Sequence, residues 1–136
     1  MDTKNKLSIF NSQLVIFRET QKVKNGVVWD IYSFTEDISK DLGIVTVTQG
    51  CKTPLQKVLE GNKTIEGFVS GSGILTVIKE DGGIQNYNFN DTKDKEEVIV
   101  KVNEIMQWEA SGNSDLIFYE ICYPPYKAGR YENLSS

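Results

Sequence analysis

Two neighbouring stretches decide the fold: GIVTVTQGCKTPLQKV, which runs from Gly43 to Val58, and EGFVSGSG, which runs from Glu66 to Gly73. In both, short apolar runs alternate with polar residues and are punctuated by glycine. Alternation with a period of two is typical of a strand with one buried face, and glycine at its ends indicates a turn. The two stretches therefore predict short strands joined by tight turns, with a hairpin at residues 71–73.

The same pattern continues along the whole chain and predicts an all-β protein. No helical apolar period is long enough for a strand–helix–strand unit, which argues against a parallel α/β sheet. One helical turn is predicted at residues 36–40, and a hairpin turn at residues 80–83. The strand lengths and spacing favour a sandwich or barrel. The predicted strands are residues 7–9, 13–17, 27–34, 43–49, 55–59, 64–70, 73–79, 84–89, 97–102, 106–109 and 116–123.

Composition excludes several classes of function. The chain has 136 residues, 15 Lys+Arg against 19 Asp+Glu, a net charge of −4 and no histidine. An acidic chain does not suit the phosphate backbone, so no nucleic-acid partner is expected. Without histidine there is no Ser-His or Cys-His nucleophile pair and no imidazole metal ligand.

The chain gives no signal for export or for membrane insertion. The first residues lack the apolar run of a signal peptide, and no segment approaches the ~20 apolar residues of a membrane span. Two cysteines, Cys51 and Cys122, are too few for a disulfide framework and are expected to be free thiols on strands. We therefore expect a cytoplasmic protein with no membrane partner.

The glycine placement resembles the cupin family. Gly50 opens and Gly71 closes a stretch similar to the family's first motif, and residues 95–108 are similar to its second motif. The closing strand at residues 118–123, followed by Pro124-Pro125, is similar to the exit of many single-domain cupins. The resemblance implies a cupin-like double-stranded β-helix, or jelly-roll barrel. It divides one domain, residues 1–136, into an N-terminal strand region (1–35), a barrel core (43–123) and a tail (124–136).

The family's metal-binding residues are replaced in this chain. The resemblance places Gln56 and Val58 at the two histidines of the first motif, Thr64 at its glutamate and Met106 at the histidine of the second motif. An amide, a hydroxyl and a thioether without negative charge do not hold a divalent ion against water. We therefore expect a metal-free barrel with no cofactor.

Strand alternation from these positions predicts which side chains face the barrel interior. Val58, Phe68 and Met106 are interpreted as core, and Trp108 as either core or a flat wall for a ligand. Gln56 and Glu66 are the sharper candidates, because a buried carboxylate is costly unless paired. A register slip of one residue would instead turn Glu66 to solvent. The candidate pocket residues are Gln56, Val58, Thr64, Glu66, Phe68, Met106 and Trp108.

One orientation is left open by the pattern. In the strand at residues 116–123, Tyr119 and Ile121 share one face, whereas Phe118, Glu120 and Cys122 share the other. Both faces carry apolar side chains, so alternation does not tell which of them is interior.

The leading functional hypothesis is a binding module that recognises a small polar or carbohydrate-like molecule in the barrel. A metal-independent isomerase, lyase or cyclase using a carboxylate or tyrosine as base is the second hypothesis. A protein-interaction subunit with an exposed sheet edge is the third. A homodimer is expected, because the N-terminal strands precede the barrel core and need a partner edge.

Overall fold

In a computed structural model, the described residues form twelve strands in two antiparallel sheets. The structure describes residues 7–59, 61, 63–91, 96–125 and 131–134. The strands are β1 Leu7–Phe10, β2 Gln13–Lys24, β3 Val27–Phe34, β4 Asp41–Val47, β5 Gln56–Val58, β6 Lys63–Ser70, β7 Ser72–Ile78, β8 Ile84–Asn90, β9 Glu97–Lys101, β10 Ile105–Ala110, β11 Leu116–Tyr123 and β12 Tyr131–Asn133.

The two sheets pack face to face around one interior. A seven-stranded sheet has the order β1-β2-β3-β4-β11-β6-β9, and a five-stranded sheet has the order β12-β5-β10-β7-β8. Aromatic rings from both sheets meet between them: Trp108 stacks on Phe118 with ring centroids 4.4 Å apart, and Phe89 lies between Trp108 and Phe68. Such ring pairs add to the free energy of burial beyond their area, so this aromatic stack is the centre of the core.

The chain passes from one sheet to the other at Gly71. β6 belongs to the seven-stranded sheet and β7 to the five-stranded sheet, with Gly71 alone between them at a φ of 92°. The predicted hairpin at residues 71–73 is therefore wrong, because the strands on either side pair with different partners. The loop between β10 and β11 makes the reverse passage, and the backbone of Asp115 in that loop lies against Gly71.

The N-terminal strands form a hairpin that covers the outer face of the seven-stranded sheet. Its turn residues Asn11 and Ser12 have positive φ, which suits a two-residue hairpin. The ring of Phe10 packs edge-on against Tyr119 at 4.9 Å. A second apolar cluster is buried under the hairpin and consists of Val15, Phe34, Leu42 and Ile121. The partner edge of β2 is thus β3 of the same chain.

All the predicted strands are present, and three further differences from the sequence prediction have local causes. Residues 36–40 form turns rather than a helical turn, since Asp37 Oδ1 accepts hydrogen bonds from the amide and hydroxyl of Ser39. β2 continues to Lys24, and β12 was not predicted, because both regions are polar and lack an apolar run. Within the described ranges, no helix is long and apolar enough to cross a membrane.

We predict that Gly71→Ala lowers the free energy of unfolding more than Gly82→Ala does. Gly71 and Gly82 have almost the same φ, 92° and 93°, so both variants carry the cost of a left-handed backbone, about 1–2 kcal/mol. A Cβ at Gly71 would also overlap the carbonyl oxygen of Asp115, whereas a Cβ at Gly82 meets open space. This overlap should add roughly 1–3 kcal/mol, as overpacking does.

Urea unfolding of the parent and the two variants measures how much unfolding free energy each variant loses. The difference between the two losses is the cost of the overlap between a Cβ at Gly71 and Asp115. Equal losses in the two variants would contradict the importance of close packing at this passage between sheets.

Candidate functional site

Three rungs between β6 and β11 direct their side chains into the barrel interior. All six side chains are buried, so Phe118, Glu120 and Cys122 form the interior face that the sequence left undecided. The rungs, each a β6 residue opposite a β11 residue, are Thr64–Cys122, Glu66–Glu120 and Phe68–Phe118. Two carboxyl groups therefore lie opposite each other on neighbouring strands, inside the molecule.

Glu66 is fully buried, so the register of β6 does not slip. Its Oε1 accepts a hydrogen bond of 2.7 Å from Trp108 Nε1. Among the described residues, no N–H or hydroxyl donor reaches Oε2, and the group that can supply a hydrogen is the Glu120 carboxyl. Burial raises the pKa of Glu66 well above 4.5 and the charge of Glu120 raises it further, whereas the bond from Trp108 lowers it. One proton held between the two carboxyl groups would satisfy Oε2 of Glu66.

Gly43 makes room for a second indole beside this pair. On β4, Gly43 is the register partner of Glu120 on one side and of Ile31 on the other. The indole of Trp29 lies across Gly43, and a Cβ at that position would overlap its Nε1 edge. The Trp29 ring is thereby held next to the β11 strand position that carries Glu120.

Tyr131 brings a hydroxyl group into the same region from the C-terminal strand β12. Its oxygen lies 3.2 Å from Thr64 Oγ1 and 3.2 Å from Cys122 Sγ. Burial raises the pKa of Tyr131 well above 10.0, and the nearby Glu120 and Cys122 raise it further. The hydroxyl therefore stays protonated at neutral pH and can both donate and accept hydrogen bonds.

A small cavity lies in front of Glu120. The space in it that the centre of a water molecule can occupy is about 30 Å³. Because one water needs roughly 10–15 Å³ on this measure, the cavity holds about two waters. The strands β2, β3, β4 and β11 supply an apolar wall and Glu120, while the β5–β12 side supplies the other polar groups. The lining residues are Val23, Val27, Trp29, Val45, Thr53, Gln56, Phe118, Glu120 and Tyr131.

The predicted pocket residues divide into two groups. Gln56 is half-buried, lines the cavity and donates through Nε2 to Asn133 Oδ1 at 3.1 Å. The other six are buried in the interior and do not line this cavity; they are Val58, Thr64, Glu66, Phe68, Met106 and Trp108. Trp108 in particular is a core residue, because its ring is stacked in the aromatic core and its N–H is bonded to Glu66.

Sequence reasoning missed four residues of the site: Trp29, Thr53, Glu120 and Tyr131. Glu120 carried a usable signal, since it alternates with Phe118 and Cys122 in a strand that could pair with the strand of Glu66. The sequence gives no such signal for Trp29, Thr53 and Tyr131. Their place in the site depends on the diagonal packing of rings and on the pairing of β12 with β5.

Comparisons with known proteins were made by sequence and by structure. No family model matches the chain, and no curated protein matches it. Solved structures do match: an oxalate decarboxylase from Bacillus subtilis superposes with a TM-score of 0.68 at 20% identity over 84% of this chain and 29% of that one. CapF, in complex with the inhibitor 3-isopropenyl-tropolone, superposes with a TM-score of 0.63 at 11% identity over 96% of this chain and 34% of that one. Both are cupin-fold proteins.

This chain has the cupin fold. The resemblance and the all-β jelly-roll prediction are thereby confirmed. At these identities the likeness shows the fold alone, and the chain spans only about a third of the length of the solved proteins that it matches.

The residues of this chain do not fit the metal site that the fold family implies. The Bacillus subtilis enzyme has Mn(II) centres. Here Val58 and Met106 are packed in the core, Thr64 Oγ1 is bonded to the Tyr131 hydroxyl, and Gln56 is bonded to Asn133. In the part of the chain that the structure describes, no three His, Cys, Asp or Glu side chains are grouped as ligands.

We predict that Glu66→Gln flattens the dependence of stability on pH. Because the pKa of Glu66 is raised on folding, the folded protein binds more protons than the unfolded chain above about pH 4.5. The free energy of unfolding should then fall as pH rises from that value, by about 1.4 kcal/mol for each unit by which the folded pKa exceeds the unfolded one. The Glu66→Gln variant should not show this fall, because an amide does not titrate.

The measurement is urea unfolding of parent and variant from pH 4 to pH 8 (a range chosen to span the carboxyl titration), and Glu109→Gln, exposed on β10, is the control. If the curves of parent and Glu66→Gln remain parallel across this range, Glu66 does not carry the shifted proton.

Proposed function

We propose that this cupin is a metal-free binding module that takes a small polar molecule, or the polar end of a larger one, into the cavity in front of Glu120. The observation that carries the proposal is the composition of the cavity wall. Apolar side chains from four strands face a carboxyl, a phenol, an amide and a hydroxyl group within one concave site. Binding sites for small molecules combine apolar walls with a few converging polar groups in this way.

Each polar group has a defined part in recognition. Glu120 accepts hydrogen bonds from the ligand, and the Tyr131 hydroxyl can donate or accept. The Gln56 amide does both, provided that it exchanges its bond with Asn133 for one with the ligand. Since the cavity holds only about two waters, a carbohydrate-like molecule would enter by one hydroxyl-bearing group rather than by a whole ring.

We predict that a small polar compound raises the thermal unfolding midpoint of the parent and not that of Gln56→Leu. The substitution keeps the size of the side chain and removes the amide. A compound that binds only the folded state stabilises it by mass action, so the rise should increase with concentration. The compounds to test are glycerol, glucose, acetate and methylammonium at constant ionic strength.

Gln85→Leu is the matched control, because Gln85 is exposed on β8 and far in the fold from the cavity. An equal rise in parent and Gln56→Leu, or no rise with any compound, would contradict the proposal. Elemental analysis of the purified protein tests the metal-free part, and one Fe, Mn, Ni or Zn per chain inside the barrel would contradict it.

A second candidate function, a metal-independent isomerase or lyase, is favoured by the Glu66–Glu120 pair. Two adjacent buried carboxyls, one ionised and one protonated, are the arrangement that acid–base catalysis uses. Glu120 lines the cavity, so its carboxyl is the member that could touch a substrate. Turnover of a hydroxy-carbonyl compound, lost in Glu120→Gln, would place this function ahead of simple binding.

We further propose that the chain is a homodimer in which the β1 strands of two copies pair. β1 is the outermost strand of its sheet, it contains no charged residue, and Leu7, Ile9 and Leu14 are 54%, 73% and 44% exposed. An uncharged apolar edge of this kind is a template for pairing with another chain.

Sedimentation of the parent should give the mass of two chains at micromolar concentration, and Ile9→Lys should give one. Ile84→Lys, on the exposed edge strand β8 of the other sheet, is the control and should remain a dimer. A parent that sediments as one chain would rule out this interface.

A further inference from the structure

We infer that the group entering the cavity is a small ammonium group, either free ammonium or the primary amine end of a larger molecule, and that it displaces the proton shared by Glu66 and Glu120. This inference rests on the proposed binding function and names the charge of the ligand. It stands on two independent features of the site, the opposed carboxyls and the aromatic lining of the cavity.

The first feature is the buried carboxyl pair. Glu66 and Glu120 are opposite each other on β6 and β11, with 0% and 6% of their surface exposed. In the parts of the chain that the structure describes, Oε2 of Glu66 receives no hydrogen bond from an N–H or hydroxyl group. A proton held between the two carboxyls would satisfy this oxygen when no cation is bound, and a cation beside the pair would allow both carboxyls to ionise.

The second feature is the ring content of the cavity wall. Trp29, Phe118 and Tyr131 line the same cavity as Glu120. Aromatic rings attract a cation through their quadrupole, most strongly where water is excluded. A neutral hydroxyl group gains little from such walls, and an anion would be repelled by the carboxyl pair. The volume of about 30 Å³ suits a group of one or two heavy atoms.

The exchange is balanced in protons and charge. The pair begins with one proton and one negative charge, the ammonium group enters with its positive charge, and the displaced proton leaves to solvent. Other titratable groups that face the pair are Tyr131 on β12 and Cys122 on β11, and the Tyr131 hydroxyl keeps its proton throughout. Binding should therefore strengthen with pH, by up to about tenfold per pH unit where one whole proton is released.

Methylammonium and methanol are the paired probes, because they have the same number of heavy atoms and differ in charge. An alkylammonium, like that of lysine with a pKa of about 10.4, stays charged across the neutral range. Titration calorimetry in phosphate and in MOPS, neither of which contains a primary amine, at constant ionic strength, gives the affinity and the number of protons released. The expected result is binding of methylammonium with release of close to one proton, and no binding of methanol.

Two variants locate the effect. Glu120→Gln should weaken methylammonium binding by at least about tenfold, as expected when one member of a buried charge pair is lost. Glu66→Gln should keep Glu120 ionised, so methylammonium should still bind, but the release of a proton should be abolished. Glu109→Gln, exposed on β10, should behave as the parent, and thermal unfolding of each variant establishes that it is folded.

The outcomes separate this inference from the proposed function. If methanol, glycerol or acetate binds and methylammonium does not, the cation inference is overturned and the binding function stands. If methylammonium binds equally to the parent and to Glu120→Gln, it binds elsewhere and the inference is likewise overturned. If no probe binds, both fall.

Discussion

The opposition of Glu66 and Glu120 inside the barrel is the constraint on which the rest of the interior depends. An isolated carboxylate in an apolar interior is costly, and two side by side are more so. Two features meet this cost: the hydrogen bond from Trp108 to Glu66, and the raised pKa of Glu66, which burial and the neighbouring Glu120 shift toward the protonated form. The first of these fixes the indole of Trp108, and that indole in turn stacks on Phe118 and lies beside Phe89. The hydrogen bond that one buried carboxyl needs therefore orients the aromatic side chains around it.

The same rung explains where the cavity lies. Across the seven-stranded sheet, the inward positions at this level are Ile31, Gly43, Glu120 and Glu66 on four successive strands. Gly43 has no side chain to cover the carboxyl of its neighbour, and the space is used instead by the ring of Trp29, which reaches across from β3. The edge of a ring placed against a glycine does not fill the volume as a branched side chain would. The remaining space, bounded by Tyr131 from the opposite sheet, is the cavity.

The sequence was sufficient to predict every strand except β12, and the all-β class, because both depend on alternation within single strands. The inward position of Glu66 stayed open in the sequence, since a register slip of one residue would have turned it to solvent, and its burial decides the point. The orientation of β11 could not be predicted, since its two faces are both apolar: Phe118 and Cys122 face the barrel, while Tyr119 and Ile121 face the N-terminal hairpin. That second covered face exists only because β2 is long enough to carry the hairpin over the sheet. The place of Tyr131 in the site could not be predicted either, because a three-residue polar strand shows no alternation. Its hydroxyl has partners in the interior only when β12 pairs with β5.

The titratable groups of the interior are concentrated on one side of the barrel. The positions that resemble the family's metal ligands lie partly on the five-stranded sheet. There, Met106 of β10 is the register partner of Gln56 of β5, and both Val58 and Met106 are core residues. The titratable pair lies across the interior on β6 and β11 of the other sheet. The polar groups that meet it from the five-stranded side are Gln56 and Tyr131, which belong to β5 and to the edge strand β12 that pairs with it. Since β12 pairs with β5 alone and over only three residues, this wall has the weakest backbone support of any that lines the cavity. A ligand that needs more room than two waters would therefore gain it here, because β3, β4 and β11 on the opposite side are each paired on both edges.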